Sequence, residues 1–265
     1  MLRYPLIALV EVAFILTVAL LVLPGVRVGE GAAGAIVFLG AAVTSFGGVH
    51  IASLSPPRFR FALILGGVAG LVMLTFAIVP PRHVAFAVLL DVALVGLAHA
   101  AGGSIGRRIQ HPGHILPATV VAAAADIVSV VHPRGPTHLI AESEHALSVL
   151  AFTFPVPGHL AMAPALGVGD LLFFALLLGA AHAHAIPHGR IAVAALAGAL
   201  LSGALAATFA IPIPALPAIG AAVLLLTPEM RKTPPRDRTV ALGAMVIASV
   251  VAASVVVSGY FSSAP

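Results

Sequence analysis

Asp126 stands in the apolar run PATVVAAAADIVSVVHPRGP and Asp170 in the apolar run APALGVGDLLFFALLLGAA. A charge at the centre of a spanning helix costs about 2.5 to 3.5 kcal/mol on insertion scales, so an acid in such a run points to function and calls for a partner. Each aspartate is the candidate partner of the other. Two carboxylates held within a few ångströms cannot both ionise readily; they share one proton and titrate as a coupled pair. One then acts as general base on a water that attacks a peptide carbonyl, while the protonated one polarises that carbonyl, with no covalent intermediate. Either aspartate can take either part.

The elements that position this pair must be long apolar helices. Pro133 follows Asp126 and Pro164 precedes Asp170, each a natural helix limit beside the same connection. At 1.5 Å rise per residue the acids are then expected about 10 Å and 9 Å below one membrane face, on successive antiparallel helices. Gly167 and Gly169 lie in GVGD, and Gly167 shares a helical face with Asp170. Glycine there lets a neighbouring backbone approach, so GVGD reads as a contact surface containing an acid.

Composition requires a bilayer: 60% of residues are apolar and 8% charged, against about 25% charged in soluble domains. The pI of about 10.7 does not point to nucleic acid, because Lys and Arg are scattered among short connections and form no run or stripe. The chain has no cysteine, which excludes disulfides, thiolate metal sites and a cysteine nucleophile, and no tryptophan. Tyr4 and Tyr260 fall at the outer ends of the first and last apolar runs, as interface anchors would.

The expected fold is all-α, a polytopic transmembrane helix bundle of about nine spans near 5–23, 32–53, 61–79, 84–104, 115–132, 163–182, 191–210, 212–228 and 239–261. The first is read as a retained span rather than a cleaved leader. Turn chemistry marks the breaks at 23–25, 55–60, 79–83, 106–114, 186–190 and 227–238. Three regions follow: 1–114, an N-terminal membrane bundle; 115–228, with both aspartate helices and a proline-rich loop; and 229–265, a basic loop and a last span. The one sizeable connection, 133–162, holds a candidate surface helix from His138 to Leu150.

Three ordered motifs resemble the presenilin and signal peptide peptidase type of intramembrane aspartyl protease, in its prokaryotic presenilin-like form. They are Asp126 followed by Pro133, Gly135 and Pro136; LGVGD at Leu166 to Asp170; and Pro214, Ala215, Leu216 and Pro217 later in the same order. The resemblance covers about Val121 to Gly220. It implies that Asp126 and Asp170 form the catalytic dyad and that Gly167, Gly169 and Pro214 to Pro217 line the active site and help hold an unwound substrate. It further implies transmembrane protein substrates, no accessory subunits, no cofactor or metal, and a multi-pass location in a prokaryotic cell membrane. Irregular backbone around Pro212, Pro214 and Pro217 agrees, since such backbone survives at membrane depth only where protein buries it or a wet cavity borders it. The chain departs from the family at Ala125, where a tyrosine is usual, in having four spans rather than five before the Asp126 helix, and in its extra last span.

Sorting the connections by side places Arg3, Arg58, Arg60, Arg107, Arg108, Arg190, Arg231, Lys232, Arg236 and Arg238 on one face, and Arg27, Arg82 and Arg134 on the other. The first is then cytoplasmic and the dyad opens outward, as in signal peptide peptidases rather than presenilins.

Other signals are weaker. GEGAAG at Gly29 to Gly34 follows a membrane span rather than a strand of a βαβ unit. GGSIG at Gly102 to Gly106 lacks the α/β sheet a nucleophile elbow needs and reads as a glycine-rich helix end. His182, His184 and His188 read as interface histidines rather than metal ligands. Glu11 and Asp91 are further intramembrane acids without a surrounding motif. The rival functions are a prepilin-type leader peptidase, a transporter or channel relaying protons or ions through the same acids, and a silent scaffold for membrane segments.

Overall fold

The computed structural model describes residues 29–54, 67, 68, 70–72, 75, 84–157 and 161–262. The expected span at 5–23, with Glu11, lies outside the described residues, and so does that at 61–79 apart from a few helical residues between 67 and 75. The described residues are predominantly helical, and among them 5 helices are long and apolar enough to cross a membrane. They correspond to α1 (Glu30–Ser53), α2 (Val84–Gly106), α3 (Ile115–Val131) with the 3-10 turn Pro112–His114 before it, α7 (His188–Phe209), and α9 (Arg238–Ser262) with the 3-10 turn Pro235–Asp237 before it. Between them come α4 (Pro136–Ala141), α5 (Glu144–Leu150), β1 (Ala151–Pro155), β2 (Met162–Gly167), α6 (Val168–Ala183) and α8 (Ala215–Leu226).

The hairpin corrects two expectations. The stretch 133–162 carries two short helices and a strand rather than one surface helix, and 163–182 opens as a strand before becoming a helix. AFTFP carries two phenylalanines and a threonine, types that favour strands, and buries its whole length, so pairing overrides the helical reading of a merely apolar run. Pro164 is not a helix limit but part of β2, opposite Thr153; the register moves from Phe152↔Leu166 to Thr153↔Pro164, leaving Ala165 as the extra residue of a bulge. Proline, which has no N–H to give a ladder, is tolerated at such a position.

The chain forms two compact units, Met1–Gly106 with His145–Gly179, and Arg107–Glu144 with Ala180–Pro265. In the first, β1 packs against both α1 and α2. Successive side chains of a strand point to opposite faces: the Phe154 ring lies against Gly40 of α1, while Thr153 meets α2. The α6 helix lies close on α2, where a Cβ on Gly102 would strike the Leu172 carbonyl and one on Gly179 the Gly103 carbonyl. Phe46 and Phe174 stack with centroids 4.5 Å apart.

In the second unit α8 packs on α7 and α3, and α9 on α3. A Cβ on Gly198 would lie 2.6 Å from the Ala218 carbonyl oxygen, so only glycine lets α7 and α8 approach this closely. Gly220 likewise admits the Thr119 methyl. The α7 helix ends on Ala210 in the left-handed region, at φ 54°. The α9 helix leaves Val240, Leu242, Val246, Ile247 and Val250 exposed, a stripe suited to lipid and costly in water.

At one end of this unit the connections are tied together. Gly113 abuts the Lys232 and Thr233 backbone, Thr233 Oγ1 donates to the Gly113 carbonyl at 3.1 Å, and His114 Nε2 lies 3.0 Å from Asp237 Oδ2. Arg190 pairs with Glu229 at 3.3 Å, and His184 Nε2 donates to the Ile109 carbonyl at 2.9 Å.

Candidate active site

Asp126 is half-buried on α3, five residues before its end at Val131, about 7–8 Å along the axis. The first N–H groups of a helix have no partner within it. Pro214, the residue capping α8, makes no side-chain cap bond of its own. Asp126 supplies the missing acceptor: the Leu216 N–H donates to its Oδ2 at 3.0 Å. An anion at a helix N-terminus is also favoured by the peptide dipoles.

The backbone leading into α8 is held separately. Buried Ser202 on α7 donates to the Ile213 and Pro214 carbonyls, each at 3.3 Å. Residues 211–214 are irregular, as the prolines demand, whereas Ala215, Leu216 and Pro217 already form the first turn of α8. The expectation of an unwound loop thus holds for Pro212 and Pro214 but not for Pro217, which sits in the first turn, where its missing N–H breaks no helical bond. The structure therefore brings the Leu216 backbone onto Asp126.

Asp170 lies in the first turn of α6, two residues after Val168 and about 3 Å along the axis. The helix-end count that placed it about 9 Å deep does not apply, because β2 occupies the preceding residues. Gly167 ends β2, and a Cβ there would come 3.7 Å from Asp170 Oδ2. A Cβ on Gly169 would meet nothing within 4 Å among the described residues. Among the described residues, close backbone approaches of one helix to another are made by Gly102, Gly179 and Gly198.

Asp91, which no motif marked, is fully buried on α2. Its Oδ1 accepts the Thr153 N–H at 2.9 Å and its Oδ2 the Thr153 hydroxyl at 3.0 Å. A buried acid needs such donors, and the threonine within AFTFP is the one sequence signal of where they come from.

The remaining signals take structural places. Gly29 to Gly34 open α1, and Gly102 to Gly106 belong to α2 as helix, not as a strand-to-helix elbow. The His182 and His188 rings lie 5.7 Å apart, and His184 holds the Ile109 carbonyl. Among the described residues no group of three or more His, Cys, Asp or Glu is placed to hold a metal. No family model, curated protein or solved structure matches the chain.

Proposed function

We propose that the chain is an intramembrane aspartyl endopeptidase of the presenilin and signal peptide peptidase type, hydrolysing peptide bonds within or near the spanning segments of other membrane proteins. Asp126 and Asp170 share a proton and activate water, with no cofactor, metal or accessory subunit required. The protein sits in a prokaryotic cell membrane and takes its substrates from the same bilayer. The observation that carries this reading is the bond from the Leu216 N–H to Asp126. It joins the first of the three ordered motifs to the third, on a helix long and apolar enough to lie in lipid.

The hairpin lends support of a different kind. A helical substrate must unwind before hydrolysis, since its carbonyls are bonded within the helix. Among the described residues β2 pairs with no strand but β1, and it ends three residues before Asp170. An extended segment laid along its open edge regains main-chain hydrogen bonds beside one of the acids.

The test uses the purified protein in vesicles with a membrane-spanning reporter peptide, its products read by mass spectrometry. Wild type is expected to cut within the span, and Asp126→Asn and Asp170→Asn to lose about 10²–10⁴-fold in rate. Cleavage that persists in either variant overturns the dyad. A proton or ion flux that Asp170→Asn removes, without proteolysis by wild type, makes the chain a transporter instead.

A further inference from the structure

We infer that Asp91 is a positioning residue that sets the register of the β1–β2 hairpin and, through it, which bond of a bound strand is cut; the second half of this rests on the protease reading above. The hairpin has little of its own to fix that register. Two-stranded ribbons are marginal by themselves, the pairing carries a bulge at Phe152/Thr153, and the Thr153 N–H is given to Asp91 rather than to β2. A slip of one residue would turn every β2 side chain to the other face. Thr153 is where the register shifts, and Thr153 is the residue that Asp91 takes by both its N–H and its hydroxyl.

The same helix also grips the element that carries Asp170. Asp91 and Gly102 are eleven residues apart on α2, about three turns, and so share one face. Gly102 lies against the Leu172 carbonyl of α6, two residues beyond Asp170. One helix thus holds both β1, the partner of the strand that would receive substrate, and the start of the helix bearing the acid. Since β2 runs straight into α6 three residues before Asp170, a slip against β1 would carry strand and acid together relative to α2, and Asp91 is the α2 contact that opposes it from the β1 side.

The experiment compares wild type with Asp91→Asn, Asp91→Leu, Thr153→Val and Thr153→Ser in reconstituted vesicles. It reads the product ends by mass spectrometry, kcat and KM separately, and amide hydrogen exchange along the chain. Wild type and Thr153→Ser, which keeps the hydroxyl, are expected to cut at one dominant bond. Both Asp91 variants should spread the cut to neighbouring bonds and lose about 10- to 100-fold in kcat. Their exchange should quicken at 151–155 and 162–167 while α3 and α8 stay protected. A residue that only supported the fold would lower the yield without moving the product ends.

Wild-type product ends together with wild-type hairpin exchange in Asp91→Leu overturn the inference. Should that variant lose protection throughout the chain, Thr153→Val decides: unchanged ends and exchange there overturn it equally. A wild type that cuts nothing defeats the protease reading, whereas the exchange measurement still judges whether Asp91 holds the hairpin.

Discussion

At the scale of single residues, Asp126 has two jobs. It is the proposed acid or base, and it terminates a neighbouring helix through the Leu216 N–H. Asparagine keeps an acceptor oxygen in that place and alanine does not. Both Asp126→Asn and Asp126→Ala should be inactive, but only alanine should lose cap stability, about 0.5–2 kcal/mol, measurable as a lower midpoint in detergent unfolding. Equal midpoints for the two would mean that the bond contributes nothing to holding α8. The acids themselves were legible in the sequence because a charge inside a long apolar run is rare. Their partners were not: Leu216 is reached through its backbone, which carries no residue signature, and Asp91 pairs with Thr153 across 62 positions of sequence.

At the scale of elements, α1, α2, α3, α7 and α9 were readable because hydropathy over a bilayer-length window needs no tertiary information. The hairpin was not, since a short apolar run reads alike as strand or helix until its partner is known. The glycines divide in the same way. Gly198→Ala pushes a methyl into the α8 backbone and should separate the two helices, lowering the unfolding midpoint and cutting activity by about tenfold or more as Leu216 shifts from Asp126. Gly169→Ala has open space and should leave the midpoint where it is. If Gly169→Ala nonetheless slows cleavage, the glycine serves the substrate rather than the fold; a lowered midpoint would mean that Gly169 packs against a neighbouring element.

For the molecule as a whole, the tied connections at one end of the second unit carry Arg107, Arg108, Arg190, Arg231, Lys232, Arg236 and Arg238, and Arg134 lies beyond the far end of α3. On the positive-inside rule the first group is expected in the cytoplasm, and Asp126 is nearer the Arg134 end of its helix. Because the chain contains no cysteine, Lys232→Cys and Arg134→Cys can each be labelled alone with a membrane-impermeant maleimide in intact cells. Arg134→Cys should react and Lys232→Cys should not; the reverse pattern would turn the acid toward the cytoplasm. The side of each connection follows from counting helices, so charge in the sequence could suggest the topology but not secure it. The interrupted strand edge before Asp170 has one more consequence. A rail only six residues long with a proline in it offers little to a second copy of the chain, and for the proposed protease it would hold cleaved fragments weakly enough for them to depart.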